Sequence, residues 1–190
     1  MVQLSLVIPG LHGPAALRRQ PAARQGLRLP ALEQLLSGAT RQHVAAHGME
    51  AVLCELFGIA LPPGGDAPVA AVTRQWEAGD AGNDWWLRAD PVYLLADRDR
   101  IGMLGNEALT VSEEECDQFA AELNAHFAAD GWDLRAPNAR RWYLRLDDVP
   151  RLQTSPLPAA VGRDVLHHMP EGDDAPRWRS VLNETQMVLH

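Results

Sequence analysis

The sequence predicts an α/β fold with a mostly parallel sheet and flanking helices, and two observations carry that expectation. Val2 to Ile8 and Val69 to Val72 are nearly uninterrupted apolar runs, the pattern of strands covered on both faces. Around them lie segments with helical spacing, of which 113–129 is the most regular.

Taken in order, the first run has only Gln3 and Ser5 as polar interruptions and stops at Pro9-Gly10-Leu11-His12-Gly13-Pro14. In α/β folds ligands sit in the crevice beyond the carboxyl ends of strands, so this turn has a claim on a site. It holds no carboxylate, and its glycines are too few and wrongly spaced to cradle a phosphate. His12 reads as structural, with a ligand or base role as the alternative. Ala15 to Gly26 is weakly patterned, a loop or marginal helix. Pro30 to Leu36 reads as a helix with Pro in its first turn and Gly38 after its end. Met49 to Phe57 reads as another, stopped by Gly58, and Pro62 to Asp66 as a surface turn. Val69 to Val72, the second strand, runs into Trp76 and the turn Ala78 to Asn83.

Asp84 to Arg100, DWWLRADPVYLLADRDR, concentrates the most conspicuous side chains of the chain. Its aromatic and branched residues favour extended backbone and Pro91 lacks an amide donor, so it reads as two short strands or one kinked edge strand. The run Asp97-Arg98-Asp99-Arg100 then falls just past a strand. Loops at strand ends are where a rigid scaffold presents binding groups, and guanidinium forks steadied by neighbouring carboxylates suit a phosphate or carboxylate. A solvated turn with mutual ion pairs is the alternative.

Ile101 to Leu104 extends a strand. Ser112 and Glu115 form a capping box that opens the helix 113–129, where Cys116, Phe119, Ala120, Leu123 and Phe127 recur at helical spacing, and Gly131 closes it. His126, with Glu122 and Asn124 nearby, does not form a metal pair on one face. Trp132 to Leu134 and Arg141 to Leu146 give two strands. The second alternates Trp142, Leu144 and Leu146 against Arg141, Tyr143 and Arg145, a face that meets water or a ligand. Beyond Asp147 the chain is loop-like. His167 and His168 on a strand would point to opposite faces, awkward for one metal. Asp174 to Leu189 is a closing helix that reaches His190 without a stop signal, which predicts a chain that once continued.

At 190 residues and 46% hydrophobic content the chain is long and apolar enough for a real core. A formal charge of -8 excludes general affinity for nucleic acid or anionic lipid, which need a basic surface. All 17 basic residues are arginine, the coding bias of a GC-rich genome, so no single Arg signals function by its presence. Cys54 and Cys116 sit in apolar, helix-like patterns and are expected to be buried, reduced thiols. The N-terminus lacks a basic n-region and its apolar run is too short to span a membrane, which predicts a cytoplasmic address. No internal repeat is evident.

The ordered series VIPGLHGP (7–14), LPALEQLL (29–36), WLRADPVYLLADRDRI (86–101), AELNAHF (121–127), RWYLRL (141–146) and WRSVLNETQMVLH (178–190) resembles the bacterial RpfE-type regulatory protein family across essentially the whole chain. Members of that family are often labelled cofactor-independent phosphoglycerate mutases, and the order of elements is remotely similar to the archaeal-type mutases. The resemblance implies an α/β core formed by 1–84 and 151–190, with an inserted α+β lobe over 85–150. It implies a mutase-like regulatory or binding protein, in which Arg88, Asp97, Arg98, Asp99 and Arg100 match substrate-anchoring groups for a small phosphorylated or carboxylic acid. The chemistry does not carry over. Pro9 and Gly10 stand where metal-dependent mutases place an Asp after the first strand, and no Ser or Thr lies between Arg41 and Ala60 to serve as nucleophile. No metal ligands, no cofactor and no catalytic residues are therefore assigned. The alternatives are an active mutase or phosphatase using Mn or Zn and completed by a further C-terminal half, and a protein-interaction module anchored by the six Trp.

Overall fold

The computed structural model describes residues 7–8, 28–40, 48–61 and 66–189. Val2 to Leu6, the Pro9 to Pro14 turn with His12, Ala15 to Gly26, and Pro62 to Gly65 lie outside the described residues, and Val7 and Ile8 belong to no regular element. Contacts divide the chain into two units, Met1–Ile59 and Ala60–His190.

The first unit holds two of the expected helices. Helix α1, Pro30–Ser37, starts on Pro30, whose missing N–H costs nothing in a first turn, and the Gly38 N–H closes it on the Leu36 carbonyl. Helix α2, Met49–Leu56, ends on Phe57, and Cys54 is only half-buried. Neither helix buries a residue.

The second unit runs α3 (Val69–Ala78), β1 (Trp85–Arg88), β2 (Tyr93–Ala96), β3 (Ile101–Leu104), α4 (Glu113–His126), β4 (Asp133–Asn138), β5 (Arg141–Leu146), α5 (Leu157–Ala160) and α6 (Ala175–Val188). Its strands form a sheet of order β1-β5-β4 and a separate β2-β3 hairpin, and every pairing is antiparallel. The expected mostly parallel sheet is thereby corrected. A parallel pair needs a crossover of a dozen or more residues, whereas Ala139 and Arg140 alone join β4 to β5.

Val69 to Val72 is likewise not a strand but the first turn of α3. A four-residue apolar run is ambiguous between the two, and the continuation decides it. Ala70 and Arg74, one turn apart, both bury, the Thr73 hydroxyl donates to the Val69 carbonyl, and Gly79 at φ 70° closes the helix on Gln75. That left-handed cap is open to glycine at little cost.

The main core lies between the sheet and α4 with α6. Trp142, Leu144 and Leu146 of β5 and Leu134 of β4 pack against Cys116, Leu123 and Phe127, with Val181 of α6. Helix α4 begins as its sequence dictates: the Ser112 hydroxyl accepts from the Glu115 N–H at 3.2 Å and the Glu115 carboxylate accepts from the Ser112 N–H at 2.8 Å. It ends at His126, a 3₁₀ turn covers Ala128–Asp130, and Gly131 at φ 71° follows. The Asn124 amide clamps α4 to β4, donating to the Leu134 carbonyl at 2.9 Å and accepting its N–H at 2.7 Å. His167 and His168 sit on a 3₁₀ turn, Val165–His168, instead of a strand. Among the described residues no helix is long and apolar enough to cross a membrane.

Candidate functional site

The face of β5 that carries Arg141, Tyr143 and Arg145 is covered by α3 at Tyr143, while the Arg141 and Arg145 side chains stay half-buried and reach water. Register puts Trp86 opposite Arg145 and Arg88 opposite Tyr143 on one side, Asp133 opposite Arg145 and Arg135 opposite Tyr143 on the other. Strand alternation then gathers all of these on the α3 side, while Leu87, Leu134 and Leu144 go to the main core. Tyr143 is 0% exposed and Arg74, reaching down from α3, only 7%.

What fills this layer is a cluster of guanidinium groups around two rings, Trp86 and Tyr143, set edge to face. The Arg74 guanidinium lies 5.5 Å from the centroids of both Trp86 and Tyr143, Arg135 lies 5.6 Å from the Trp86 centroid, and Arg88 lies 5.5 Å from that of Tyr143. Each charge has a carboxylate. Arg74 donates to Asp80 at 2.6 Å, and Asp80 also takes Arg135 at 3.2 Å. Arg88 forks onto Asp90, which accepts the Trp142 N–H at 3.0 Å as well. Glu77 takes Arg141 and the Tyr143 hydroxyl. Arg145 lies 3.5 Å from both Asp84 and Asp133. The Asp80 carboxyl is held below its ordinary range chiefly by the hydrogen bond from Arg74, and Asp133 chiefly by that from Arg135. Arg74 Nε has no hydrogen-bond partner. The pairs of Arg74 with Asp80 and of Arg141 and the Tyr143 hydroxyl with Glu77 fasten α3 and its C-terminal turn to the sheet.

The sequence-derived site divides between two places. Arg88 belongs to this layer. Asp97, Arg98, Asp99 and Arg100 form the exposed turn of the β2-β3 hairpin, where the Asp97 N–H donates to the Arg100 carbonyl at 2.9 Å, Asp97 Oδ1 accepts the Arg98 N–H at 2.8 Å, and Arg100 pairs with Asp97 at 3.6 Å. Among the described residues no ion pair engages Arg98 or Asp99.

Two features escaped the sequence. The α3 layer was missed because reading Val69 to Val72 as a strand gives Arg74 and Glu77 no helical phase toward the sheet. Its signal was available in the spacing Ala70, Arg74, Glu77. The second is the outer side of α3, where Trp76 is 81% exposed and Val72, one turn before it, 57%. Elsewhere, His168 Nδ1 lies 3.1 Å from the Ser155 hydroxyl, but among the described residues no carboxylate bonds to that ring, so the pair lacks the third group that orients a nucleophile's base. Among the described residues no group of three or more His, Cys, Asp or Glu could hold a metal ion. Compared with protein-family models, characterised proteins and solved structures, the chain matches none.

Proposed function

We propose that this chain is a binding protein that works through protein contact, with α3 as the recognition element. The observation behind this reading is Trp76, 81% exposed on a helix whose inner face is fixed by Arg74, Ala70 and Glu77. An indole held out on a rigid helix loses little conformational freedom on binding, and Trp dominates interface hot spots. The matching partner is a protein surface with an apolar pocket for Trp76 and Val72. A net charge of -8 favours a basic rim around that pocket, since complementary charge speeds encounter. The test is differential capture from the source cell by wild type, Trp76→Ala and Arg98→Ala chains. A discrete protein held by wild type and Arg98→Ala but lost with Trp76→Ala supports the reading, and equal capture by all three ends it.

A second reading, recognition of a small phosphorylated or carboxylic acid, keeps one observation in its favour. Arg98 is exposed and without an ion pair among the described residues, while Asp97 is already engaged by Arg100 and by the Arg98 N–H. Calorimetric titration with 3-phosphoglycerate and inorganic phosphate decides it, for Arg98→Ala must weaken any binding seen. The mutase-like alternative draws no support from the sheet, since antiparallel pairing offers no crevice at aligned strand ends.

A further inference from the structure

We propose that the outer edge of β2 is a self-association site, at which a second copy of this chain adds its own β2 antiparallel about a two-fold axis. The inference rests on the hairpin alone and is independent of α3. In the hairpin, Tyr93 pairs with Leu104, Leu94 with Met103, Leu95 with Gly102 and Ala96 with Ile101. The bond from the Asp97 N–H to the Arg100 carbonyl fixes the phase of the ladder. Hydrogen-bonded and non-hydrogen-bonded pairs alternate along antiparallel strands, so Tyr93 and Leu95 direct their backbone groups to β3, while Leu94 and Ala96 direct theirs outward.

The same phase sends the groups of Ile101 and Met103 outward from β3, and there they are met. Met103 donates to the Arg163 carbonyl at 3.1 Å and accepts from the Gly162 N–H at 2.8 Å, and the Ile101 N–H donates to Asp164 at 3.4 Å. Among the described residues nothing does this for Leu94 or Ala96. Soluble proteins usually blunt an open edge with a charge, a proline or a bulge within the strand. Here Pro91 precedes the strand, the charges begin only at Asp97, and Tyr93 and Leu95 are 46% and 51% exposed.

Backbone donors and acceptors recurring at strand spacing are matched by another extended strand, and β2 matches itself. Leu94 opposite Ala96 of the second copy, and Ala96 opposite its Leu94, would exchange both backbone bonds. Leu95 then meets its own counterpart on the axis, in the close non-hydrogen-bonded pair where apolar side chains interact best, with Tyr93 as the diagonal neighbour. Charge permits the approach locally. The whole chain carries -8, but Pro91 to Ala96 carries no charge and the turn beyond it balances Asp97 and Asp99 with Arg98 and Arg100. So short a strand pair makes a weak dimer.

The test is sedimentation velocity and amide hydrogen exchange on the full chain from micromolar to near-millimolar concentration. Dimer should accumulate with concentration, and exchange at Leu94 and Ala96 should slow with it, while the Leu95 amide, bonded to β3, stays protected throughout. Ala96→Pro removes an outward donor and no β2-β3 bond, and Leu95→Arg sets like charges on the axis, so each should abolish the dimer with far-UV circular dichroism unchanged. Should Ala96→Pro fail to fold, Leu95→Arg carries the test. A monomer at every concentration, a dimer in which Leu94 and Ala96 exchange independently of concentration, or a dimer that survives Leu95→Arg overturns the proposal.

Discussion

At the scale of the residue, Arg74 decides how the α3 side of the sheet is held. Its guanidinium is buried beside two rings and pairs, among the described residues, with Asp80, itself partly exposed and shared with Arg135. Removing the acid strands a buried cation, whereas removing the cation leaves an acid that still has Arg135 and water. Asp80→Asn should therefore lower the urea midpoint more than Arg74→Met, which keeps the apolar stem against Trp86 and Tyr143. Equal losses, or the reverse order, would show that packing and not charge fixes α3. A pH dependence follows with a definite sign. Asp80 and Asp133 titrate below their ordinary range in the folded chain, so the stability they contribute is fully present above the unfolded Asp value, about 4, and is lost as pH falls through their folded values. Urea melts of an Asp80→Asn, Asp133→Asn double variant should decline less steeply below about pH 4 than wild type. Of this layer the sequence singled out Arg88 and the Arg141, Tyr143 and Arg145 face, but not Arg74, Glu77, Asp80 or Arg135. A sequence marks Arg as exposed by type, and only the register of three strands and the helical phase of α3 bring these groups together.

At the scale of the element, α4 was the most legible part of the chain, because two independent signals agreed. The capping box set its start and the spacing of Cys116, Leu123 and Phe127 set its buried face. Leu123 is buried against Leu134 and Leu144 of the sheet, so Leu123→Ala should cost about 2–5 kcal/mol in urea melts, lost transfer energy plus a cavity. Ser112→Ala should cost about 0.5–2 kcal/mol, and a Glu115→Gln chain, which retains a side-chain acceptor, should lose less. Strands β1, β2, β3 and β5 were legible from aromatic and branched residues, and of the two readings open for Asp84 to Arg100, two short strands or one kinked one, the structure has two. Val69 to Val72 was not legible, since four apolar residues satisfy either period. The charged run was read correctly as a strand-end turn, but grouping Arg88 with it assumed one surface where register makes two.

At the scale of the whole molecule, strand direction was the part the sequence could not supply by periodicity. The parallel expectation rested on two apolar runs, of which Val69 to Val72 is the first turn of α3 and Val2 to Leu6 lies outside the described residues, while β5 alternates Trp142, Leu144 and Leu146 toward the main core with Tyr143 toward α3. Loop length was the better guide, because even the six residues between the expected strands Trp132 to Leu134 and Arg141 to Leu146 are too few for a parallel crossover, and β4 runs on to Asn138 and leaves two. The consequence is a second unit, Ala60–His190, whose core is internally complete. Both clusters of buried residues, from Ala70 to Val181, lie within it, and so do all six Trp. A chain of Ala60–His190 alone should then fold, and its tryptophan fluorescence should report one cooperative urea transition, with a near-UV dichroism signal from the stacked Trp132 and Trp178 and the edge-on Trp86 and Tyr143. Cooperative loss of fluorescence and near-UV signal at one midpoint is the expected result. A fragment with helical far-UV signal but no near-UV signal and no cooperative transition would show that these residues need Met1–Ile59 to pack, and would refute the division of the chain into an independent core and a separate first unit.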